Sequence, residues 1–304
     1  MAKTLQRHRI LTNSLKTSIL DFFELTKARL AISVVFSALA GYLIAIDNIN
    51  SNTIFLLVIG GYCMVGSSNI FNQIIEKDSD AVMNRTKNRP IPSGRTSISS
   101  AFSIAVLLTI IGVIALYRIN PYTALFGSIS IFIYACIYTP LKIKTPLSVF
   151  VGAIPGAIPF MLGWVAARNE FGIEAITLFS IQFFWQFPHF WALGWILHDD
   201  YKKAGINLLP TKKKDRSSAF QTVLYTIWMI MICMLPVSGL TGELRLSIFS
   251  AFFIGVIGIV MLFFSISLYK KMTTQSAKKL FSASVVCLTL VQIIFVIDKY
   301  FIWN

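Results

Sequence analysis

Nine apolar stretches, each near the about 20 residues an α-helix needs to cross a bilayer, occupy most of the chain. They run over 30–46, 54–75, 101–117, 123–138, 149–167, 175–197, 219–240, 246–269 and 280–297. Only 13% of the 304 residues are charged, whereas soluble domains carry about 25%, and mean hydropathy is +0.71. This excludes an ordinary soluble enzyme and a disordered chain. The alternation of an outer-membrane barrel is absent, so the fold class is all-α: a polytopic membrane helical bundle of nine transmembrane helices. It reads as one transmembrane domain over 30–297, with a lead-in over 1–29 and a short tail over 298–304. Glycines inside the spans (Gly41, Gly60, Gly156) suit close helix approach. Pro155 and Pro159 predict that the fifth span is bent or broken.

Charge placement fixes the orientation. The excess of 27 Lys and Arg over 13 Asp and Glu gives a net charge of +14. Tail and loops alternate, with 23 of the basic residues on one side and 4 on the other. The positive-inside rule then puts the N-terminus and the loops 76–100 and 198–218 in the cytoplasm and the C-terminus outside. Nucleic acid is not needed to explain the +14. Arg7, Arg9 and Lys16 precede no apolar core before Leu30, so a cleavable signal peptide is not expected. A bacterial inner membrane fits this lead-in better than a mitochondrial inner membrane. Cys63, Cys136, Cys233 and Cys287 lie in apolar stretches without metal or disulfide spacing.

Chemistry is expected where polar groups crowd the cytoplasmic loops or recur at membrane depth. Asn72, Glu76 and Asp80 are spaced i, i+4, i+8 and share one face of a continued helix. Three such oxygen-bearing groups repel unless a cation sits among them, and Mg²⁺ prefers a few carboxylates plus substrate phosphate oxygens. The alternative is a solvated loop of mixed charge, to which Asp78 would belong. Directly afterwards come Arg85, Lys87, Arg89 and Arg95, with Pro90, Pro92 and Gly94 setting a turn. Bases interleaved with acids suggest a site for a polyanion held by metal and guanidinium together.

Asn72-x3-Glu76-x3-Asp80 followed by Arg-Thr-Lys-Asn-Arg-Pro resembles the first signature of the intramembrane UbiA-type prenyltransferase superfamily, Asn-Asp-x2-Asp-x3-Asp. Further stretches resemble one branch, the protoheme IX farnesyltransferases or haem O synthases: 24–30, 138–146, 152–159, 185–191 and 200–205. They cover roughly residues 20–215 in the right order. The chain departs at Gln73, where the pattern has a second Asp, at Glu76 for Asp, and at Ala28 for Pro. The second acidic motif is reduced to Asp199 and Asp200, with Ala at 204.

The resemblance implies a fold and a reaction. Farnesyl diphosphate binds with its diphosphate at the cytoplasmic loops and its tail among the helices. Mg²⁺ is held by Asn72, Glu76, Asp80 and Asp200, while Arg85, Arg89, Arg95, Lys142 and Lys202 bind remaining phosphate charge. The farnesyl group passes to a vinyl group of haem B, and water addition gives haem O and diphosphate. Haem B is substrate here, not cofactor, and a haem A synthase or terminal oxidase assembly is the implied consumer. Gln182, Gln186 and His189 form one polar stripe in the sixth span at i, i+4, i+7. It must face inward, as an interhelical hydrogen-bond staple or as a pocket wall where Gln186 and His189 meet the haem. Rival readings are a prenyltransferase with another acceptor (an aromatic acid, a quinone precursor or a chlorin) and a transporter. The acids gather at one face rather than at mid-depth, which argues against transport.

Overall fold

The computed structural model describes residues 18–301 and contains no strand among them. Arg7, Arg9, Lys16 and the tail from 302 onward lie outside the described residues. A short helix α1, described over 18–25, leads into α2 (Ala28–Ala45) and α3 (Ser51–Ile75), followed by the short α4 (Lys77–Val82). Next come α5 (Ile98–Tyr117), α6 (Pro121–Phe132), a π-helical segment (Ile133–Tyr138) and the single turn α7 (Thr139–Leu141). The chain continues through α8 (Ser148–Arg168), α9 (Ile173–Ile196), α10 (His198–Lys203), α11 (Arg216–Met234), α12 (Ile248–Lys271) and α13 (Thr274–Phe301).

The long helices close into a ring in chain order. α2 packs on α3, α3 on α5, α5 on α6, α6 on α8, and so on through α13, which returns to α2. Additional contacts of α2 with α8 and of α9 with α13 fill the middle. α8 is the most enclosed span, with 67% of its apolar window buried. Its crossing with α2 depends on having no side chain at either partner. A Cβ on Gly41 would lie 2.0 Å from the Phe160 carbonyl oxygen, and one on Gly163 would lie 1.9 Å from that of Ala38. Backbone meets backbone there, as small residues permit in lipid. The outward faces are apolar: Ile248, Phe252 and Phe263 of α12 are exposed, which only a lipid solvent tolerates on this scale. The chain is an integral membrane protein.

Among the described residues eight helices are long and apolar enough to cross a membrane, so the expected nine spans are not all matched by that measure. The exception is α9, 24 residues long but carrying Gln182, Gln186, Pro188 and His189. It runs from the end where Arg168 bridges Glu243 at 2.9 Å to the end holding α4 and α10. Its polar groups are covered by α8 and α13 instead of facing lipid.

Of the bend or break expected in the fifth span, a break does not occur: α8 runs as one helix through Pro155 and Pro159. The reason lies in neighbouring side chains. A proline gives no N–H to the carbonyl four residues earlier, and the Pro155 carbonyl, deprived by Pro159, receives the Ser130 hydroxyl at 3.4 Å. Gln182 Oε1 accepts the Phe160 N–H at 3.2 Å, and Gln186 Nε2 donates to the Ala153 carbonyl at 2.9 Å. Gly156 leaves the room for this, since a Cβ there would lie 1.9 Å from Gln186 Oε1.

Candidate active site

The site lies at one end of the bundle, where α3 hands over to α4. Glu76 caps α3 outside helical geometry (φ −91°, ψ 11°), yet the i to i−4 bonds continue from Glu76 N–H to the Asn72 carbonyl (2.9 Å) and from Asp80 N–H to that of Glu76 (2.7 Å). The step therefore keeps Asn72, Glu76 and Asp80 on one side, as their spacing predicts. Asp78 is exposed.

Each of the three meets a cation. Lys27 Nζ donates to Asn72 Oδ1 at 3.2 Å, Lys142 Nζ sits 2.7 Å from Glu76 Oε1, and Arg89 donates to Asp80 Oδ2 at 2.7 Å. Asp80 is fully buried, and its other oxygen, Oδ1, has no hydrogen-bond partner among the described residues. A buried carboxylate oxygen without a partner is costly. The donor set therefore fits a hard divalent cation that brings further oxygen ligands with it. No three His, Cys, Asp or Glu side chains converge as a ready cage among the described residues.

Sequence reasoning did not single out Lys27, and its position is built deliberately. It takes the left-handed conformation (φ 49°, ψ 56°) between α1 and α2, which non-glycine residues adopt at a cost. Two buried amides of α3 hold that turn: Asn69 donates to the Thr26 carbonyl (3.1 Å) and Gln73 to the Leu25 carbonyl (2.7 Å). Gln73 thus points away from the acids, and a carboxylate could not make its bond. Burial first, then the charges of Arg89 and Lys142, push the Lys27 ammonium down to about 7 against the pull of Glu76 and Asp80.

The opposite wall comes from the end of α6. Pro140 offers no N–H, the helix widens into a π-segment, a feature frequent at functional sites, and Thr139 closes it on the Tyr134 carbonyl at 2.8 Å. Thr139 then accepts from Asn72 Nδ2 at 3.1 Å, leaving Asn72 fixed at both ends. Lys142, 9% exposed, lies 4.6 Å over the Tyr138 ring. Burial lowers its basicity, but the Glu76 carboxylate more than compensates and holds it above the usual lysine value. Tyr201 of α10 completes the wall, its phenol raised by burial and by Glu76 against the nearby Arg85, Lys142 and Arg89. Lys27, Thr139 and Tyr201 lie within or beside the motif stretches, but nothing in the sequence says which way they point.

The remaining site residues fall into two groups. Asp200 does not converge with the other acids. Its two oxygens accept the backbone N–H groups of Asn84 (2.9 Å) and Arg85 (3.2 Å), and Lys203 adds a bond at 3.3 Å. Burial opposes its ionisation, but these donors prevail and hold its carboxyl below the usual range. Asp200 thereby ties the 198–218 loop to the 76–100 loop at one end of the bundle, and Asn207 N–H donates to the Lys142 carbonyl (3.3 Å) to add the third loop. Arg95 is engaged away from the acids, with Asp21 (2.9 Å) and Glu24 (2.6 Å) of the lead-in helix. Arg85 and Lys202 are exposed at the rim. His198 and Asp199 form a solvated pair at 3.2 Å.

The polar stripe of α9 is a staple for most of its length, since Gln182 and Gln186 both bond to α8. His189 differs. Its Nδ1 lies 2.8 Å from Ser284 Oγ of α13, and its ring is stacked between Trp185 and Phe281, with centroids 4.7 Å away on each side. Nε2 has no hydrogen-bond partner among the described residues. Beneath Asn72, Ser68, Met64 and Gly61 of α3 line a narrow cleft of about 50 Å³ shared with α2, α6 and α8.

Comparison with known proteins identifies relatives of the chain. A protoheme IX farnesyltransferase of Flavobacterium psychrophilum is 60% identical over 289 residues, covering 94% of this chain and 96% of its own length. The solved structure of a digeranylgeranylglyceryl phosphate synthase matches with a TM-score of 0.77 at 19% identity, over 94% of this chain and 99% of that one. A UbiA homolog from Archaeoglobus fulgidus bound to GPP and Mg²⁺ matches with a TM-score of 0.68 at 12% identity, over 90% and 99% of the two chains. At such identities the structural likeness is one of fold. With the sequence model of that family matching residues 34–291, the chain belongs to the UbiA prenyltransferase family.

Proposed function

We infer that the chain transfers the farnesyl group of farnesyl diphosphate to a vinyl group of haem B, with addition of water, releasing diphosphate and haem O. The observation that carries the reading is the face of Asn72, Glu76 and Asp80, flanked by Lys27, Lys142 and Arg89 above an apolar bundle. Both the acids and the bases of a diphosphate site are there, and the neighbouring cleft is lined by apolar groups. The 60% identical relative carries the same activity in its name.

Asn72, Glu76 and Asp80 are the residues that would hold Mg²⁺, with Asp80 Oδ1 the oxygen already lacking a partner. When bound, the ion supplies charge neutralisation of the departing diphosphate. Lys27, Lys142 and Arg89, which bond Asn72, Glu76 and Asp80, would bind the phosphate oxygens, with Arg85 and Lys202 adding positive charge at the rim. The C–O bond of the allylic diphosphate breaks and its electron pair leaves on the phosphate, where these fixed cations stabilise it. The surrounding helices keep bulk water from the allylic cation. The vinyl π-bond of haem forms the new C–C bond, and water quenches the resulting cation with loss of a proton. His189, held by Ser284 and carrying an unpartnered Nε2, is the side chain best disposed to orient the macrocycle through its iron or a propionate. Asp200 serves by holding the loops that carry Arg85 and Arg89 in place.

The orientation follows the charge asymmetry: a bacterial inner membrane, with the site end cytoplasmic and the C-terminus outside, and a haem A synthase or terminal oxidase assembly consuming the product. Membranes of cells expressing the chain gain a more hydrophobic haem on this reading. An unchanged haem profile beside a new prenylated quinone or phenol would replace haem with another acceptor.

A further inference from the structure

A large groove lies away from the acidic site. It lies between α12 and α13 on the outer face, about 720 Å³ in volume, with Val256, Val260 and Phe264 on one wall and Ala283, Val286 and Leu290 on the other. Along α13 the lining runs from Gln275 to Leu290, about 22 Å at 1.5 Å per residue. That exceeds half of the about 30 Å hydrocarbon core. One end is different in kind: Gln275, Lys278 and Lys279 line it, and Lys270 and Lys271 stand across the turn at Met272 and Thr273. All four lysines are exposed, and none forms an ion pair among the described residues. This is the same end of the bundle as the acidic site.

We propose that this groove is a binding site for one anionic phospholipid of the cytoplasmic leaflet, its acyl chain along the α12–α13 seam and its headgroup phosphate on Lys278 and Lys279. Three properties select that occupant. The groove opens sideways toward the bilayer, its length of about 22 Å suits one acyl chain, and the charges lining it are positive and stand at headgroup level. Basic residues at a membrane surface draw anionic headgroups in this way. The site also bears on α13 itself, whose Ser284 bonds His189 and accepts the Trp185 indole N–H at 2.6 Å. Ser284 directly follows the groove-lining Ala283 on the same helix, so the occupant braces the helix that orients the α9 stripe.

The test uses the full chain, delipidated in detergent and given defined lipids: phosphatidylglycerol, phosphatidylcholine, or glycerol 3-phosphate as a headgroup without a tail. Retained lipid is counted by native mass spectrometry and thermal unfolding is followed in parallel. Phosphatidylglycerol should be retained at one site per chain and raise the unfolding midpoint, and the other two should do neither. Lys278→Gln with Lys279→Gln should weaken that retention about thirtyfold, each surface lysine being worth about a factor of five. Lys213→Gln, a basic loop residue outside the groove, should leave it unchanged. Ala283→Phe, which fills the groove, should abolish retention while both lysines remain. Equal retention of phosphatidylcholine, retention surviving the double glutamine variant, or displacement of the lipid by farnesyl diphosphate or haem B would overturn the proposal.

Discussion

Asp80 is asked to do two things that can be separated. Its carboxylate is fully buried and pairs with Arg89, whose side chain keeps 15% exposure. Breaking a buried pair by removing one partner costs about 3–5 kcal/mol. Asp80→Asn leaves the charge on Arg89, which can still lean toward water, so its stability loss should fall near the lower end, about 3 kcal/mol. Arg89→Met leaves an ionised carboxylate with no route out and should fall near the upper end, about 5 kcal/mol. The double variant has neither charge and should return to within about 1 kcal/mol of the parent, because neutral pairs of similar volume are tolerated. Activity should not follow. Both variants lacking the carboxylate lose charge opposite the leaving group, and farnesyl transfer should fall about 10²- to 10³-fold and stay there in the double variant. Thermal unfolding in detergent gives the first quantity, and haem farnesylation in reconstituted membranes gives the second. A double variant that regains stability and activity together would reduce Asp80 to a structural ion pair.

Gly163→Ala should force α2 from α8, since its Cβ would meet the Ala38 carbonyl at 1.9 Å and the Tyr42 nitrogen at 2.4 Å. A loss of about 3 kcal/mol or more is expected in thermal unfolding, with Gly255→Ala, where nothing lies within 4 Å, as the neutral comparison. Lys27 is mostly neutral at pH 8, because its burial places it at about 7, and a bound diphosphate favours its charged form. Diphosphate binding at pH 8 should take up a proton and weaken as pH rises further; calorimetry in buffers of different ionisation enthalpy should show that uptake lost in Lys27→Met. Ser284→Ala removes the bond to His189 and should lower haem affinity while farnesyl diphosphate affinity persists; equal loss of both would leave the stripe as a staple alone. Cysteines placed singly at Ser93 and Ser217, with the four native ones replaced, should escape impermeant reagents in intact cells and react in inverted vesicles, and labelling of either from outside would contradict the shared cytoplasmic site.

Much of this was legible because membrane helices announce themselves by length and apolarity, and because i, i+4, i+8 spacing survives the small step at Glu76. Other features are tertiary and leave no local trace. Pro155 and Pro159 read as a bend or break, yet Ser130 on another helix serves the Pro155 carbonyl and Gln182 and Gln186 tie α8 to α9. Asp200 reads as one more acid, but two backbone N–H groups more than a hundred residues away in sequence claim its oxygens. Gln73 reads as a missing second acid; its donor is needed by the turn that aims Lys27. Lys27 itself, one of two cations with Arg29 before an apolar run, could not be singled out, its direction being set by a left-handed backbone that sequence does not disclose.

The central claim is that this chain joins farnesyl to haem B. The direct measurement is the purified, reconstituted protein given farnesyl diphosphate, haem B and Mg²⁺, with the extracted haem resolved by reverse-phase chromatography and mass spectrometry. The account predicts a later-eluting haem heavier by one farnesyl group and one hydroxyl group, formed in step with diphosphate and suppressed by chelator and by Asp80→Asn. Diphosphate release with unmodified haem, or the same product from the Asp80→Asn protein at the parent rate, would contradict it.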